Sequence, residues 1–431
     1  MKEAGLVGAG GAGFPSYAKL AEGADVLLIN GAECEPLLYT DYIILKREMP
    51  TVLVGIEAVV WGMNIPKALL CIKEHTAEKL SLNDGEQLSQ RVFVKVLPNV
   101  YPIGDEISLI YQATGRVVRP GNLPISKGVI VFNAETMFNL GRAVKFSEPV
   151  SMKWLMIGGD VKEPKVYRVP IGMSVSDLFD MLGVEVDENH VVIDGGPSMG
   201  KLINHNIATV TKTTKAFLIL PKGIQAVDSK LIDEKSAVAR AETACCQCTR
   251  CTDMCPRFLL GYPLEPHKMV RTAMNAAVTM PNMVLSATLC CGCGVCETLA
   301  CSQGISPKAV INNYKKLLAQ NKMRYSTNYD VEPREERDYR MIPSEKWEST
   351  LGVTKYDRVA TYGAELSDVD RVSILMNSHI GAPSVPCVKN GDVVKRGQPV
   401  ARGAEGLSVP QHASIDGRVT VTDTKIIIDR I

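Results

Sequence analysis

Cysteine spacing constrains this chain more than any other feature. Cys245-Cys246-Gln247-Cys248-Thr249-Arg250-Cys251-Thr252-Asp253-Met254-Cys255-Pro256 reads C-x2-C-x2-C-x3-C-P from Cys245, the thiolate spacing that holds iron–sulfur clusters in bacterial ferredoxins. Two residues between sulfurs let a tight loop wrap three of them around one cubane. A fourth cysteine before proline leaves that loop and is free to serve a second cluster. Downstream, Cys290, Cys293 and Cys296 repeat the first three positions, and Cys301 follows one residue later than its counterpart and without the proline. By this pattern Cys245, Cys248, Cys251 and Cys301 hold one 4Fe–4S cluster, and Cys290, Cys293, Cys296 and Cys255 the other.

Other uses of cysteine fit less well. Structural zinc takes C-x2-C units two per metal across a longer loop, not three in succession. Disulfides call for export, and the N-terminus has no signal-peptide layout. Cys246 and Cys291 adjoin the first ligand of each run and compete with it. Cys34, Cys71 and Cys387 stand alone and read as small apolar residues.

The length of 431 residues suits about three or four domains. A net charge of +1 argues against nucleic acid as a main partner and against an anionic membrane surface. No apolar run approaches bilayer length. A protein without a transmembrane segment, in the reducing cytoplasm, is the expectation.

Residues 1–148 read as an α/β unit. Gly8-Ala9-Gly10-Gly11-Ala12-Gly13-Phe14-Pro15 and Lys19 open the chain. Glycines at this density let backbone amides approach an anion, and a helix starting near Pro15 would add its positive end. The apolar strand Val26 to Ile29 then ends in Asn30-Gly31-Ala32-Glu33-Cys34-Glu35-Pro36, and carboxyl ends of strands are where open α/β sheets place ligands. Val52 to Met63 reads as a helix, and Ala68 to Ile72, Val92 to Leu97 and Val129 to Phe132 as strands. Tyr101-Pro102-Ile103-Gly104-Asp105-Glu106 comes after Val92 to Leu97, and Asn133-Ala134-Glu135-Thr136 after Val129 to Phe132.

Residues 149–235 read as a small α+β unit. Val150 to Ile157, Lys165 to Pro170 and His190 to Ile193 are strands, and a short helix capped by Ser174 runs to Leu182. Asp194-Gly195-Gly196-Pro197-Ser198-Met199-Gly200 reads as a plain tight turn, and His190, His205 and His267 as isolated side chains without ligand spacing. Residues 236–323 carry the cysteines, with helices expected over Pro266 to Val278 and Pro307 to Gln320. Residues 324–365 are rich in charge and read as a linker or solvated segment. Residues 366–431 turn to short strands broken by Asn390-Gly391 and Arg396-Gly397.

In order along the chain, Gly-Ala-Gly-Gly-Ala-Gly-Phe-Pro with Lys19, Asn-Gly-Ala-Glu-Cys-Glu-Pro, Tyr-Pro-Ile-Gly-Asp-Glu and Asn-Ala-Glu-Thr resemble the NADH-binding flavoprotein subunit of respiratory complex I. They resemble still more the RnfC component of the Rnf electron-transport complex and the cobalamin reductases of propanediol-utilising microcompartments. The resemblance implies a multidomain α/β and α+β protein: a Rossmann-like FMN and NADH domain, a β-grasp (SLBB) module, a helical two-cluster ferredoxin module and a C-terminal barrel-sandwich hybrid. It implies that Gly8, Gly10, Gly11, Gly13 and Lys19 hold non-covalent FMN. Asn30, Glu33, Tyr101, Gly104, Asp105 and Asn133 would line its ring and ribityl phosphate, and Phe14, Glu35 and Glu106 would face NADH. The chain departs from complex I flavoproteins at Ala9, where they carry arginine, and at Ala32, where they carry an acid.

The barrel-sandwich tip reads Pro410-Gln411-His412-Ala413-Ser414-Ile415-Asp416-Gly417, with no lysine for a covalent carrier group. This module is therefore expected to dock a partner or pack against the flavin domain. Its C-terminal place matches the microcompartment reductases, since RnfC proteins carry it ahead of the flavin domain. The implied function is electron transfer from NADH through FMN and two 4Fe–4S clusters to a corrinoid, with no general acid or base. The implied neighbours are an adenosyltransferase and shell proteins inside a bacterial microcompartment. An RnfC-like electron-transfer component with a protein acceptor and a non-enzymatic iron–sulfur scaffold are the alternatives.

Overall fold

The computed structural model describes residues 1–275 and 281–431. Its first sheet has the order Gln87–Ser89, Val92–Leu97, Lys67–Lys73, Val26–Asn30, Val129–Asn133, parallel except at the Gln87–Ser89 edge. The central strands are nearly unbroken apolar runs because both faces are covered. Leu27 and Ile29 enter a core with helices Thr40–Gly62 and Ala134–Phe146, whereas Leu28 points the other way, towards Ile107 and Ile110 of helix Glu106–Thr114.

The helix expected from Val52 is the second half of a longer one, Thr40–Gly62, which contains Pro50 and departs from helical geometry at Glu48. Proline marks a boundary in sequence, yet here it only kinks a helix that packing carries through. Near Pro15 the expected helix is a single 3-10 turn, Ser16–Lys19, too short to contribute an aligned helix dipole. Helices Thr40–Gly62 and Ala134–Phe146 touch backbone to backbone. A Cβ on Gly55 would overlap the Met137 carbonyl, and one on Gly141 the Thr51 carbonyl.

The second sheet has the order Lys201–Ile203, His190–Asp194, Ala216–Pro221, Met152–Gly159, Lys165–Pro170, Thr361–Glu365. Helix Val175–Leu182 packs on it, with the Ser174 side chain accepting from the Asp177 amide. The C-terminal region forms a four-stranded and a three-stranded sheet. Val372, Ile374, Val394, Val400, Ile426 and Ile428 share one core with Leu155 and Val169 of the second sheet and Phe179 of its helix. The cysteine region is helical: Glu234–Ala244, Pro266–Met274 and Pro307–Gln320 meet through Ala237, Ala241, Val270 and Val310. The last residues of the helix expected over Pro266 to Val278 lie outside the described residues. No helix among the described residues is long and apolar enough to cross a membrane.

Residues 324–365 are not a linker. Asp330 pairs with Arg119 and Lys127, Arg334 donates to the Phe258 carbonyl, and Arg340 to that of Asp253. Ile342–Pro343 pairs with Val100–Tyr101, and Thr361–Glu365 extends the second sheet alongside Lys165–Pro170. Trp347 is fully buried. The charges that suggest solvation instead tie a strap to specific partners on the flavin-type and cysteine modules. Cys387, expected as a small apolar residue, is exposed.

The glycine contact generates a stability test. Gly55→Ala or Gly141→Ala should destabilise by about 1–3 kcal/mol through overpacking. Gly62→Ala, with nothing within 4 Å of its added carbon, should be neutral or slightly stabilising. Urea denaturation of the three variants measures the contrast.

Candidate functional site

Asn30 and Asn133 are register partners at the carboxyl ends of adjacent parallel strands. The glycine-rich loop crosses them, closed by the Gly8 amide donating to the Phe14 carbonyl at 2.9 Å. A Cβ on Gly10 would stand 2.9 Å from Asn133 Nδ2, while nothing lies within 4 Å of one on Gly11. Bare, exposed backbone therefore faces open space above the strand ends, the cradle a flavin phosphate or ring requires. Asn133 Nδ2 donates to the Asn30 carbonyl (3.2 Å) and Asp41 Oδ2 (3.0 Å), and Asn30 Nδ2 to the Gly104 carbonyl (2.9 Å). Lys19 Nζ lies 2.8 Å from Glu106 Oε1 and donates to the Val131 carbonyl at 3.0 Å. Gly8, Gly10, Gly11, Lys19, Asn30, Gly104, Glu106 and Asn133 thus share one edge of the sheet; Gly13 is buried against the C-terminal module and Phe14 is half-buried.

Buried charges lie beneath this loop: Glu33 and Glu135 come from the sequence motifs, and Lys153, Lys215 and Asp41 from outside them. Lys153 and Glu135 form a fully buried pair at 2.6 Å, and Lys153 also donates to the Ala9 carbonyl at 3.3 Å. Lys215 Nζ stands 2.5 Å from Asp41 and 3.7 Å from Glu33. The Glu33 oxygens accept from the Thr40 and Asp41 amides at 3.2 and 3.1 Å. Burial pushes the Glu33 carboxyl up to about 7, against the opposing pull of Lys215. Lys153 had one visible signal, an isolated charge inside the apolar strand Met152–Gly159, where a lysine is retained only if paired.

Glu35 is not a solvated loop charge either. Its oxygens accept from the Ser198 and Met199 amides at 2.9 and 2.8 Å. Gly196 lies so close that any side chain there would strike the Glu35 carboxylate. Burial raises the Glu35 carboxyl, with these two amides pulling it back. The turn 194–200 is thus a receptor for the flavin-type module.

Tyr101 and Asp105 turn towards the cysteines. Tyr101 is buried, and its hydroxyl donates to the Cys293 carbonyl at 2.7 Å. Asp105 caps helix Glu106–Thr114 through the Ser108 amide, and its other oxygen lies 2.7 Å from Arg257 Nη2. Arg257 in turn faces Cys291.

One cavity is lined by Cys245, Cys248, Cys251 and Cys301, with Cys246 and His267 also at its wall. Cys255 instead neighbours Cys290, Cys293 and Cys296. The fourth thiol of each run has crossed to the other. Gln247 and Thr249 adopt left-handed backbone at φ 55° and 61°, and Gly292 and Gly294 occupy the same places in the second run at 78° and 83°. Non-glycine residues held there twice in succession mark a loop shaped for a task. The thiols of the first set line one cavity, which suits a multi-iron cluster.

The C-terminal module packs against the base of the glycine-rich loop. The Ile380 amide donates to the Gly13 carbonyl at 3.1 Å. Lys212, on the middle module, donates to the carbonyls of Gly5 and Pro410, both at 2.9 Å. Lys212 is buried with no carboxylate partner among the described residues, and burial pushes it down to about 7.

Residues 1–142 match the Nuo51 FMN-binding domain, 155–202 the SLBB domain, 244–306 the 4Fe-4S dicluster domain and 360–428 the RnfC barrel sandwich hybrid domain. Fold and site together define a flavin and iron–sulfur electron-transfer protein. The chain is 37% identical to Cobalamin reductase PduS of Citrobacter freundii over 432 residues, covering 100% of this chain and 95% of that one. It is also 37% identical to Cobalamin reductase PduS of Salmonella typhimurium over 434 residues, 99% and 94% of the two chains. A component of the proton-translocating ferredoxin:NAD(+) oxidoreductase complex of Clostridium ljungdahlii is 34% identical over 264 residues, 60% of this chain and 55% of that one. The chain belongs to the cobalamin reductase PduS family.

Lys212 makes stability depend on pH in a defined direction. Its folded value of about 7 lies below the ordinary 10.5, so between these the unfolded chain binds the extra proton and stability rises with pH. His412, pushed down to about 4 by burial, acts only in a lower window. Lys212→Met should remove the gain in denaturation midpoint between neutral pH and about pH 9. An unchanged pH slope in the variant would contradict this assignment.

Proposed function

We propose that the chain is an NADH-dependent cobalamin reductase. The observation that carries this reading is the full-length match to the reductase family on a chain whose two cysteine runs interleave beside an exposed glycine cradle. When bound, FMN takes a hydride as an electron pair and 4Fe–4S clusters carry electrons singly. One NADH then yields NAD+, a proton and two electrons, enough for one Co(III) to Co(I) reduction or two from Co(II). NADH rather than a phosphorylated dinucleotide, residence in a microcompartment and neighbours such as an adenosyltransferase or shell proteins belong to the same proposal and rest on resemblance.

The chain's own groups have distinct tasks in this reading. Gly8, Gly10 and Gly11 present backbone to the flavin, Gly13 seats the loop on the C-terminal module, and Lys19 adds positive charge within reach of the flavin phosphate. Asn30, Glu33, Gly104 and Asn133 fix the strand ends beneath it. Phe14 and Glu106 border the side from which NADH enters; Glu35 holds that border to the turn 194–200. Tyr101 and Asp105 connect the flavin module to the loop of Cys290, Cys293, Cys296 and Cys255, which makes that set the first receiver. The set Cys245, Cys248, Cys251 and Cys301 lies at a more open place, with Cys246, Gln247 and Cys248 exposed, and faces the acceptor. Nothing here requires a general acid or base.

Two measurements test this. Cys301→Ala and Cys255→Ala should each perturb one reduced-cluster EPR signal, and not the same one, while Cys246→Ala leaves both. Perturbation of the Cys290-set signal by Cys301→Ala would contradict the crossing. Anaerobic NADH titration with cob(II)alamin should produce the Co(I) absorption band. Bleaching of flavin and clusters without that band would remove the corrinoid and favour a protein acceptor.

A further inference from the structure

Three modules meet at one buried tryptophan contributed by the strap. Ile342–Pro343 pairs antiparallel with Val100–Tyr101, and the Ser344 amide donates to the Asn99 carbonyl at 2.9 Å. Helix Ser344–Leu351 then carries Trp347, whose side chain is wholly buried, flat against Tyr101. The ring centroids are 4.5 Å apart and the planes 9° from parallel. Trp347 Nε1 donates to Ser198 Oγ at 2.9 Å. The Ser198 amide is the group that binds Glu35, and its carbonyl accepts from Lys308 Nζ at 3.1 Å. Lys308 in turn lies 3.1 Å from Glu297, beside Cys296.

Tyr101 has a single proton to give, and it goes to the Cys293 carbonyl. The direction of that bond depends on the ring being held in one orientation. On one side of the ring lies the indole; near it lie Cys34 and Glu35 of the flavin-type module and Cys293 of the cysteine module. A phenol left free to swing would no longer fix the distance between those modules. Electron transfer between buried centres falls off exponentially with that distance, so a loop free to shift slows it.

We propose that Trp347 is a positioning residue for electron transfer, clamping Tyr101 so that the Cys293 loop is held at a fixed place against the flavin module. This rests on the reading that FMN and two clusters occupy the sites described above. Trp347 touches none of them and moves no proton. It acts through Tyr101, and the hydrogen bond to Ser198 anchors it to the third module.

The test uses the cofactor-loaded full chain, with anaerobic stopped-flow absorbance for flavin bleaching by NADH and freeze-quench EPR for cluster reduction. In Trp347→Ala, flavin bleaching should stay at the wild-type rate while cluster reduction slows severalfold. The EPR line shape of the cluster on Cys290, Cys293, Cys296 and Cys255 should broaden, and the other should not change. Trp347→Phe keeps a ring on Tyr101 and should restore most of the rate. Should the alanine variant fail to fold, Tyr101→Phe, which removes the hydroxyl and with it the bond to the Cys293 carbonyl, should slow cluster reduction more than flavin bleaching. Equal slowing of both steps, or cluster reduction at the wild-type rate in Trp347→Ala or Tyr101→Phe, would overturn the proposal. Wild-type protein whose clusters stay oxidised while NADH bleaches its flavin would overturn the underlying reading instead.

Discussion

Two thiols changing places hold the centre of this protein together. Cys255 leaves the first run to join Cys290, Cys293 and Cys296, and Cys301 leaves the second to join Cys245, Cys248 and Cys251. Neither ring closes unless the whole stretch between them folds. The helices carrying these loops, Arg250–Asp253, Pro256–Leu259 and Val295–Thr298, are four residues each, far too short to persist alone. Tertiary packing by Met269, Ala287, Ile311 and Leu318 supports them, but cluster assembly and folding of this region are expected to be one event.

Around that centre the modules are joined by buried polar contacts as well as by shared apolar cores. Glu35 reaches into the turn at Ser198, Asp105 meets Arg257, and Tyr101 reaches Cys293. Such contacts are directional, and a displaced partner leaves a buried charge or carbonyl unpaired. They therefore fix relative placement as well as adhesion. That is a fitting property for a chain whose task is to keep redox groups at set separations. The flavin-type cradle is likewise underlain by Lys153, Glu135, Lys215 and Asp41, which stiffen the loop from below without entering it.

The sequence disclosed what repeats or alternates. Strand Val92–Leu97 and helix Pro307–Gln320 were legible to the residue because apolar period and proline or serine boundaries agree there. The ferredoxin spacing also anticipated that Cys301 would lie with the first run and Cys255 with the second. What stayed hidden depended on distant partners. The helix read from Val52 begins at Thr40, ahead of Pro50, and the contact at Gly55 and Gly141 carries it through the proline. Residues 324–365 looked solvated because arginines and acids dominate, and nothing local tells that Arg337 and Trp347 are buried. The roles of Glu35 and of the turn at Ser198 were invisible for the same reason: each is defined by a residue more than a hundred positions away.

The most direct measurement is the iron, acid-labile sulfide and flavin content of protein purified without oxygen, with zinc determined on the same sample. The account predicts about eight irons and eight sulfides per chain, as two cubanes require, together with FMN released on denaturation. Zinc at the thiols with no labile sulfide would contradict it.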